Sequence, residues 1–372
     1  MKKFALTTFC SCINEKGIWF IHSYLPLLMF FDFSKQEITV CKVIPDCGTY
    51  KLAAFCGICE TKEKVFLVPN NASIISIFDK TFQSFTTIDL EKNNGNLFWD
   101  CFVEDKYVYC LPYKNEYLLK IDIASLEIIK SKSWHSEVEK SNNKLLHRSI
   151  KSDNFVIFVL CETNQILLYD IIKDEWQKKY VGNESNQYTQ IIKIQQYIYL
   201  FDNRHNKLYK YTEDFSQLIL EISIEHNEII LYSLFNKVLI DSVNSLEWRI
   251  LDENLNLLQS HIYEVEDTNY TYNTNYRLGC WKQYKNQAVC IDPFNHLILV
   301  NEDLEYKIFN INLTDSQLVA IQKQLYAMQN IQLVDENEFF YCKDFIHNIK
   351  ANDLNDKVSN HVGKLIYENI QI

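Results

Sequence analysis

The chain has 372 residues, of which 47% are hydrophobic and 14% aromatic, and its net charge is −11 with an isoelectric point near 5.4. Proteins that grip a phosphate backbone usually carry basic patches, so this acidic composition argues against nucleic-acid binding. No stretch reaches the ~18 apolar residues that a membrane helix requires, so no membrane insertion is expected.

The first ten residues, Met1 to Cys10, imitate a signal peptide only superficially. Their apolar stretch is too short, and the segment from Phe9 to Cys12 is a poor lipoprotein cleavage site. The same residues fit the first strand of the repeat that follows. The twelve cysteines fall inside apolar runs, as small core residues do, rather than at loop positions. These observations predict a reducing, cytoplasmic location.

One unit recurs seven times, and each copy is an apolar strand followed 13 to 15 positions later by a turn-prone polar residue. Successive units begin 41 to 50 residues apart, the range of four-stranded propeller blades. The strands open at Ile18, Val65, Tyr107, Phe155, Tyr197, Val238 and Ala288. The turn residues are Asp32, Asp79, Asp122, Asp170, Thr212, Asp252 and Asn301. The spacing predicts an all-β, seven-bladed β-propeller of four-stranded antiparallel blades over residues 1–313.

The fourth unit shows the expected plan of one blade. An inner strand over 145–151 is followed by strands over 155–160, 166–171 and 176–181. Asp170, where the third strand ends, is predicted to accept hydrogen bonds from the backbone N–H groups ahead of it and so to close the next hairpin. The recurring turn residues are therefore interpreted as structural.

The stretch from Leu167 to Trp176 resembles the corresponding part of a kelch repeat in its length, its late aromatic residue and its blade organisation. The kelch glycine doublet and the Gly-His pair of WD40 repeats are absent, and the Trp-Asp pair of WD40 repeats does not recur from unit to unit, since Trp99-Asp100 is its one occurrence. Residues 1–313 are thus similar to kelch-like and galactose-oxidase-like propellers at the level of architecture. The copper chemistry of galactose oxidase is not implied, because no matching Tyr, Cys and His motif occurs.

Small residues stand six positions before the strand openings of the first four units, namely Cys12, Cys59, Cys101 and Ser149. Close packing near a propeller axis explains them. The alternative is a soft-metal site, which Cys10-x-Cys12 and Cys56-x-x-Cys59 favour slightly. Positions i and i+3 of an extended strand face opposite sides, so no metal is predicted.

Beyond Leu313 the pattern changes to a helical one. Thr314 to Gln317 is a capping-box sequence, and Leu318 and Ile321 begin an apolar helical face. Residues 314–372 are predicted to be a helical extension that packs on the propeller, or that offers a helix to a partner. The alternative is an eighth blade beginning at Phe339.

Two groups of residues are candidates for binding. The longest predicted loop contains Tyr270, Tyr272, Tyr276 and Arg277, and tyrosines interleaved with asparagines suit peptide, glycan or protein surfaces. The candidates near the channel are Trp99, Asp100, His147, Arg148, Arg277 and Trp281.

Several roles remain open for the channel group. Asp100 and Arg148 occupy equivalent positions of consecutive blades and are predicted to form an ion pair. The alternative is a polar pocket where Arg148 and Arg277 receive an anionic group such as a carboxylate, assisted by His147. A glycan site would need Trp99 and Trp281 as exposed stacking platforms.

No nucleophile elbow, phosphate-binding loop, dinucleotide fingerprint or H-E-x-x-H motif occurs in the sequence. The sequence therefore favours a non-catalytic binding or scaffold propeller, without a cofactor, that recruits a protein or peptide through its loop face. The alternative function is that of an enzyme or small-ligand receptor whose channel mouth recognises an anionic metabolite or glycan.

Overall fold

The structure, a computed structural model, describes residues 6, 8–23, 25–45, 53–90, 97–138, 145–225, 229–242, 247–262, 280–292, 295–318 and 320–321. The strands of the first four sheets are β1 Thr8–Ile13, β2 Gly17–His22, β3 Leu27–Asp32, β4 Glu37–Val43; β5 Phe55–Glu60, β6 Lys64–Pro69, β7 Ile74–Asp79, β8 Ser84–Asp89; β9 Phe98–Glu104, β10 Tyr107–Pro112, β11 Leu119–Asp122, β12 Ile128–Lys130; β13 Leu146–Ser152, β14 Phe155–Leu160, β15 Gln165–Asp170 and β16 Glu175–Tyr180. The other three sheets contain β17 Tyr188–Ile194, β18 Tyr197–Asp202, β19 Lys207–Thr212, β20 Leu218–Ser223; β21 Ile229–Leu234, β22 Lys237–Ser242, β23 Glu247–Leu251, β24 Leu257–Ile262; β25 Lys282–Tyr284, β26 Gln287–Ile291, β27 His296–Asn301 and β28 Tyr306–Asn310. A short 3-10 helix, Trp134–Glu137, lies between the third and fourth sheets.

Each sheet consists of four strands that follow one another in the chain and pair antiparallel, as in the order β13-β14-β15-β16. The seven sheets are the blades of a propeller, arranged in a ring. The innermost strands are β1, β5, β9, β13, β17, β21 and β25. The predicted seven-bladed, all-β architecture is confirmed, and the strands of the fourth unit match their predicted bounds to within one residue.

The position of a strand within its blade determines its pattern of apolar and polar residues. All six residues of β2 are buried, whereas β8 at the edge of its blade has only exposed and half-buried residues. A strand covered on both faces by neighbouring blades buries both sets of side chains, so its sequence is a continuous apolar run such as GIWFIH. The outermost strands are edges, and polar sequences such as EWQKKY in β16 protect them.

The polar residue that ends the third strand closes the next hairpin, as predicted. Asp170 Oδ1 accepts hydrogen bonds from the backbone N–H groups of Ile172 and Lys173, both at 3.0 Å. Bonds of 2.8 to 3.1 Å repeat this pattern at Asp32, Asp79, Asp122 and Asp252. These residues are structural, because their carboxylates are used within the turn.

The ring closes by side-chain packing between the last blade and the first. Val289, Ile291 and Leu297 of the seventh blade share one apolar cluster with Ile18 and Phe20 of the first. The N-terminal strand β1 belongs to its own blade and pairs with β2. Within the described residues, closure therefore uses consecutive blades rather than a blade shared by the two ends of the chain.

A helix begins at residue 315, where the capping-box sequence predicts it. Thr314 Oγ1 accepts from Gln317 N at 3.3 Å while Gln317 Oε1 accepts from Thr314 N at 2.8 Å. Gln317 Nε2 donates to Ile38 O at 2.7 Å, and Ile321 is buried against the first blade, so the helix starts on the propeller. Residues 322–372, and with them the proposed eighth blade, lie outside the described residues. Among those that are described, no helix combines the length and apolar character needed to cross a membrane.

Candidate binding site at the channel mouth

The site is built on irregularities of the innermost strands. In five of the seven described blades the pairing of the innermost strand shifts near its start. The residues skipped by the pairing are Phe9 and Cys10, Cys56, Trp99, His147 and Arg148, and Thr189. A β-bulge re-aims the side chains that it carries. Three of the predicted channel residues are thus bulge residues, at the face where these strands begin; we call this face the channel mouth.

Three aromatic rings form one cluster at the channel mouth. The ring of Trp99 lies 5.4 Å from that of Tyr113 and 5.5 Å from that of His147, on which it stacks. Tyr113 follows β10, and its backbone bonds to Leu97 O and from Leu146 N fix it between two blades. All three residues are half-buried, so each keeps part of its surface exposed.

His147 is held neutral. Its Nδ1 lies 2.7 Å from Thr189 O, and because a carbonyl only accepts, Nδ1 carries the proton. Burial lowers the pKa of His147 to about 4, and the charge of Arg148 adds to that effect. At neutral pH its Nε2 is therefore an acceptor.

Arg148 has an aromatic neighbour but no polar partner at Nε. Its guanidinium carbon lies 5.2 Å from the centroid of the Trp99 ring, within the range of a cation–π contact. The Nε atom is buried without a hydrogen-bond partner in the structure. Burial raises the pKa of Cys56 and of Tyr232, which belong to the second and sixth blades, and the charge of Arg148 partly opposes that rise. Arg148 itself is a bulge residue of the innermost strand β13, where the blades converge on the axis of the ring.

The predicted ion pair between Asp100 and Arg148 is wrong. Asp100 of the third blade instead pairs with Lys282 of the seventh, across the channel, at 3.7 Å. This partner raises the pKa of Lys282, and both side chains remain about one-third exposed. The guanidinium of Arg148 lies over the ring of Trp99, and the carboxylate of Asp100 pairs with the ammonium group of Lys282.

The cysteines near the axis act as packing residues. Cys59 and Cys101 share an apolar cluster and a thiol hydrogen bond, and the ten described cysteines are all free. Burial raises the pKa of Cys12 and of Cys56 to about 12, so both stay protonated near neutral pH. No group of three metal-ligating side chains occurs in the part of the chain that the structure describes.

The remaining predicted site residues, Trp281 and the tyrosine-rich loop, do not belong to this cluster in the described structure. Trp281 is 2% exposed and packs on Trp248 with ring centroids 5.2 Å apart, so it is a core residue and not a stacking platform for glycans. The loop residues Tyr270, Tyr272, Tyr276 and Arg277 lie outside the described residues.

Sequence reasoning missed Tyr113, Tyr232 and Lys282. A signal existed for two of them, because Tyr232 and Lys282 stand six positions before their strand openings, as Cys101 does. Extending that comparison through all seven units would have identified them as channel residues. Tyr113 follows the second strand of its blade, and the pairing of β9 with β10 brings it beside Trp99.

Neither a family model nor a curated protein matches the sequence. Solved propeller structures are similar in fold. A catalytically inactive histidine-to-alanine variant of virginiamycin B lyase from Staphylococcus aureus, solved with quinupristin, has a TM-score of 0.62 at 10% identity over 80% of this chain and 95% of that chain. BamB from Moraxella catarrhalis gives 0.52 at 10% identity over 83% and 90%, and Hsv2 from Kluyveromyces lactis gives 0.51 at 10% identity over 82% and 97%.

Likeness at this level of identity establishes the propeller fold and no activity. The finer kelch-like assignment stays a prediction.

Proposed function

We propose that this chain is a non-catalytic binding propeller that recruits a peptide or protein partner at the channel mouth. One observation carries the proposal: Trp99, Tyr113 and His147 form a partly exposed aromatic cluster beside Arg148. Aromatic residues and arginine dominate the energetics of recognition surfaces. Rigid blades hold these side chains, so little ordering entropy opposes binding.

The chemistry of the mouth favours binding over catalysis. His147 is neutral and its Nδ1 is committed to a backbone carbonyl. The carboxylate of Asp100 is committed to Lys282, and burial keeps the thiol of Cys56 protonated. A nucleophile activated by a neighbouring base needs two such groups in hydrogen-bond contact. The similarity to virginiamycin B lyase concerns the fold alone.

A cytoplasmic location and membership of the kelch-like propellers complete the proposal. Free cysteines support a reducing compartment, and the four-stranded blade with its late aromatic Trp176 supports the kelch-like assignment. Fractionation of cells expressing the protein tests the first point, since recovery in an oxidising compartment would contradict it. Detection of homologues that carry the kelch glycine doublet tests the second.

Peptide selection tests the function directly. A synthetic library of short random peptides with free termini is screened against the full chain, and binders are measured by fluorescence polarisation. We expect Trp99→Ala to weaken them about 10-fold or more, as loss of an aromatic anchor does. The matched control is Tyr180→Ala, which removes a ring that is 58% exposed on the outer strand β16. Equal loss in both variants, or no binder tighter than about 1 mM, overturns the proposal.

A further inference from the structure

We infer that the group received at the channel mouth is a carboxylate, bound by Arg148 and supplied by the C terminus of the partner peptide. This inference rests on the proposed function and adds the chemistry of its ligand. It follows from the contacts of Arg148, from the charges around it and from its place on the ring axis.

The contacts of Arg148 leave its donors available. A ring such as Trp99 attracts the guanidinium through its π face, but the N–H groups still require acceptors. The buried Nε has no acceptor among the described residues. Buried polar atoms are satisfied in the great majority of cases, and an orphaned one calls for an explanation. An incoming acceptor with two oxygens matches the planar fork of a guanidinium.

The charges at the mouth favour an anion. The carboxylate of Asp100 is paired with Lys282 at 3.7 Å rather than with Arg148. Lys282 and Arg148 thus place two cations at the mouth of a chain whose net charge is −11. The nearby thiol of Cys56 adds no negative charge, because it stays protonated. The mouth is a locally cationic point in an acidic protein, and rings of low polarity beside it strengthen its attraction for an anion.

One guanidinium beside an aromatic wall suits a singly charged, planar anion. Sites for phosphorylated ligands usually gather several arginines, because the phosphate carries close to two charges. Here Lys282 is paired with Asp100, whereas Arg148 has no ion-pair partner among the described residues. A carboxylate therefore fits the site better than a phosphate does.

The position of Arg148 favours a chain end as the source. Arg148 is a bulge residue of the innermost strand β13, which places it near the axis. The innermost strands converge there, and Nε is buried. A C-terminal carboxylate enters such a point end-on, and the residue before it lies along Trp99 and Tyr113.

The test compares acid and amide forms of the peptides selected above. In the wild-type protein, amidation of the C terminus is expected to weaken binding about 10- to 100-fold, the usual worth of a charged hydrogen-bond pair. In Arg148→Ala the acid should bind as weakly as the amide, so the two losses are not additive. Arg148→Lys keeps the charge without the fork and should recover part of the affinity. Equal effects of amidation in wild type and Arg148→Ala overturn the inference.

Further experiments distinguish a C-terminal from a side-chain carboxylate, and the proposed function from the carboxylate inference. If an internal Asp→Asn change in the peptide weakens binding while amidation does not, the C-terminal source is wrong. If peptides bind but respond neither to amidation nor to Arg148→Ala, the proposed function stands and the carboxylate inference fails. If benzoate or indole-3-acetate at about 10 mM raises the melting temperature of wild type but not of Arg148→Ala, while no peptide binds, carboxylate binding stands and peptide recruitment fails. Melting temperatures of all variants without ligand show whether each is folded.

Discussion

The two ends of the innermost strands are built differently. Where the strands end, polar side chains bridge neighbouring blades: Asn14 bonds to Glu60 at 2.6 Å, Lys151 pairs with Glu104 at 2.7 Å, and Lys193 bonds to both Ser152 and Glu213. Where the strands begin, β-bulges present an aromatic cluster and a guanidinium whose Nε has no partner. Polar groups hold the blades together where the strands end, whereas the guanidinium of Arg148 remains available for a ligand where the strands begin. Comparison of the two ends thus separates stability from function in a repeat whose copies share one fold.

The largest expected effect concerns the face where the innermost strands end and polar side chains bridge the blades, which we call the bridged end. A Cβ at Gly17 would lie 2.0 Å from Phe31 O and 2.6 Å from the ring of Phe30. Gly17 also donates to Asn14, the residue that bridges the first two blades. Gly17→Ala should lower the free energy of unfolding by about 3 kcal/mol, the upper range for overpacking, as measured by urea denaturation.

The matched control for that change lies at the mouth. A Cβ at Gly57 would lie 3.0 Å from the nearest atoms, which belong to Asp100 and Val68. Gly57→Ala should cost about 1 kcal/mol and should also disturb binding, because it shifts the strand of Asp100. Equal losses of stability in the two variants would contradict the contrast between the ends.

Acidification should act first at the mouth. The pKa of His147 is lowered to about 4 in the folded chain, against about 6.5 when unfolded. The unfolded chain therefore binds more protons between these values, and the stability that neutral His147 allows is full above pH 6.5 and lost as the pH falls. The expected loss is about 2 kcal/mol by pH 5.

His147→Gln isolates that contribution from the other histidines. The difference in unfolding free energy between wild type and variant should change between pH 7 and pH 5, which denaturation at both pH values measures. NMR should show the ring of His147 neutral at pH 6. A ring that titrates near 6.5 would mean that the mouth is wetter than its contacts indicate.

Much of the fold was predictable because it depends on local, repeated signals. A period of 41 to 50 residues fixed the blade number, and Asp170 and its equivalents marked the hairpins. The site depends on β-bulges, which the regular alternation of side chains along a strand does not predict. A bulge at Trp99 or His147 breaks the alternation from which side-chain direction is inferred.

The charge pairing at the mouth was unpredictable for a different reason. Asp100 and Arg148 are neighbours along the repeat, but Asp100 meets Lys282 across the axis, from the third blade to the seventh. Only closure of the ring brings such residues together. Trp281 was misplaced because its position at the entrance of an innermost strand suggested the channel, whereas alternate residues of a strand face opposite sides and Trp281 is buried.

A smaller effect is expected at the bridged end. The hydrogen bond from Lys193, followed by that from Ser152, lowers the pKa of Glu213. The stabilisation by ionised Glu213 is therefore complete above the pKa of Glu213 in the unfolded chain, about 4.3. It is lost as the pH falls through the lower pKa that Glu213 has in the folded chain. Glu213→Gln should cost under about 1 kcal/mol at neutral pH, because the carboxylate is 38% exposed and screened by solvent. The difference from wild type should vanish as the pH falls toward about 2, and a difference that persists there would assign the effect to packing.

The smallest change in stability is expected for Arg148→Met, and its contrast with Lys282→Met separates the two cations of the mouth. Lys282→Met leaves Asp100 without its partner and should lower the free energy of unfolding by about 1 kcal/mol. Arg148→Met removes a cation that has no carboxylate partner and that opposes the charge of Lys282, so stability should stay the same or rise by up to about 0.5 kcal/mol. Urea denaturation of both variants measures the difference. Because residues kept for binding often cost stability, a loss in Arg148→Met as large as that in Lys282→Met would make Arg148 a structural residue like those at the bridged end.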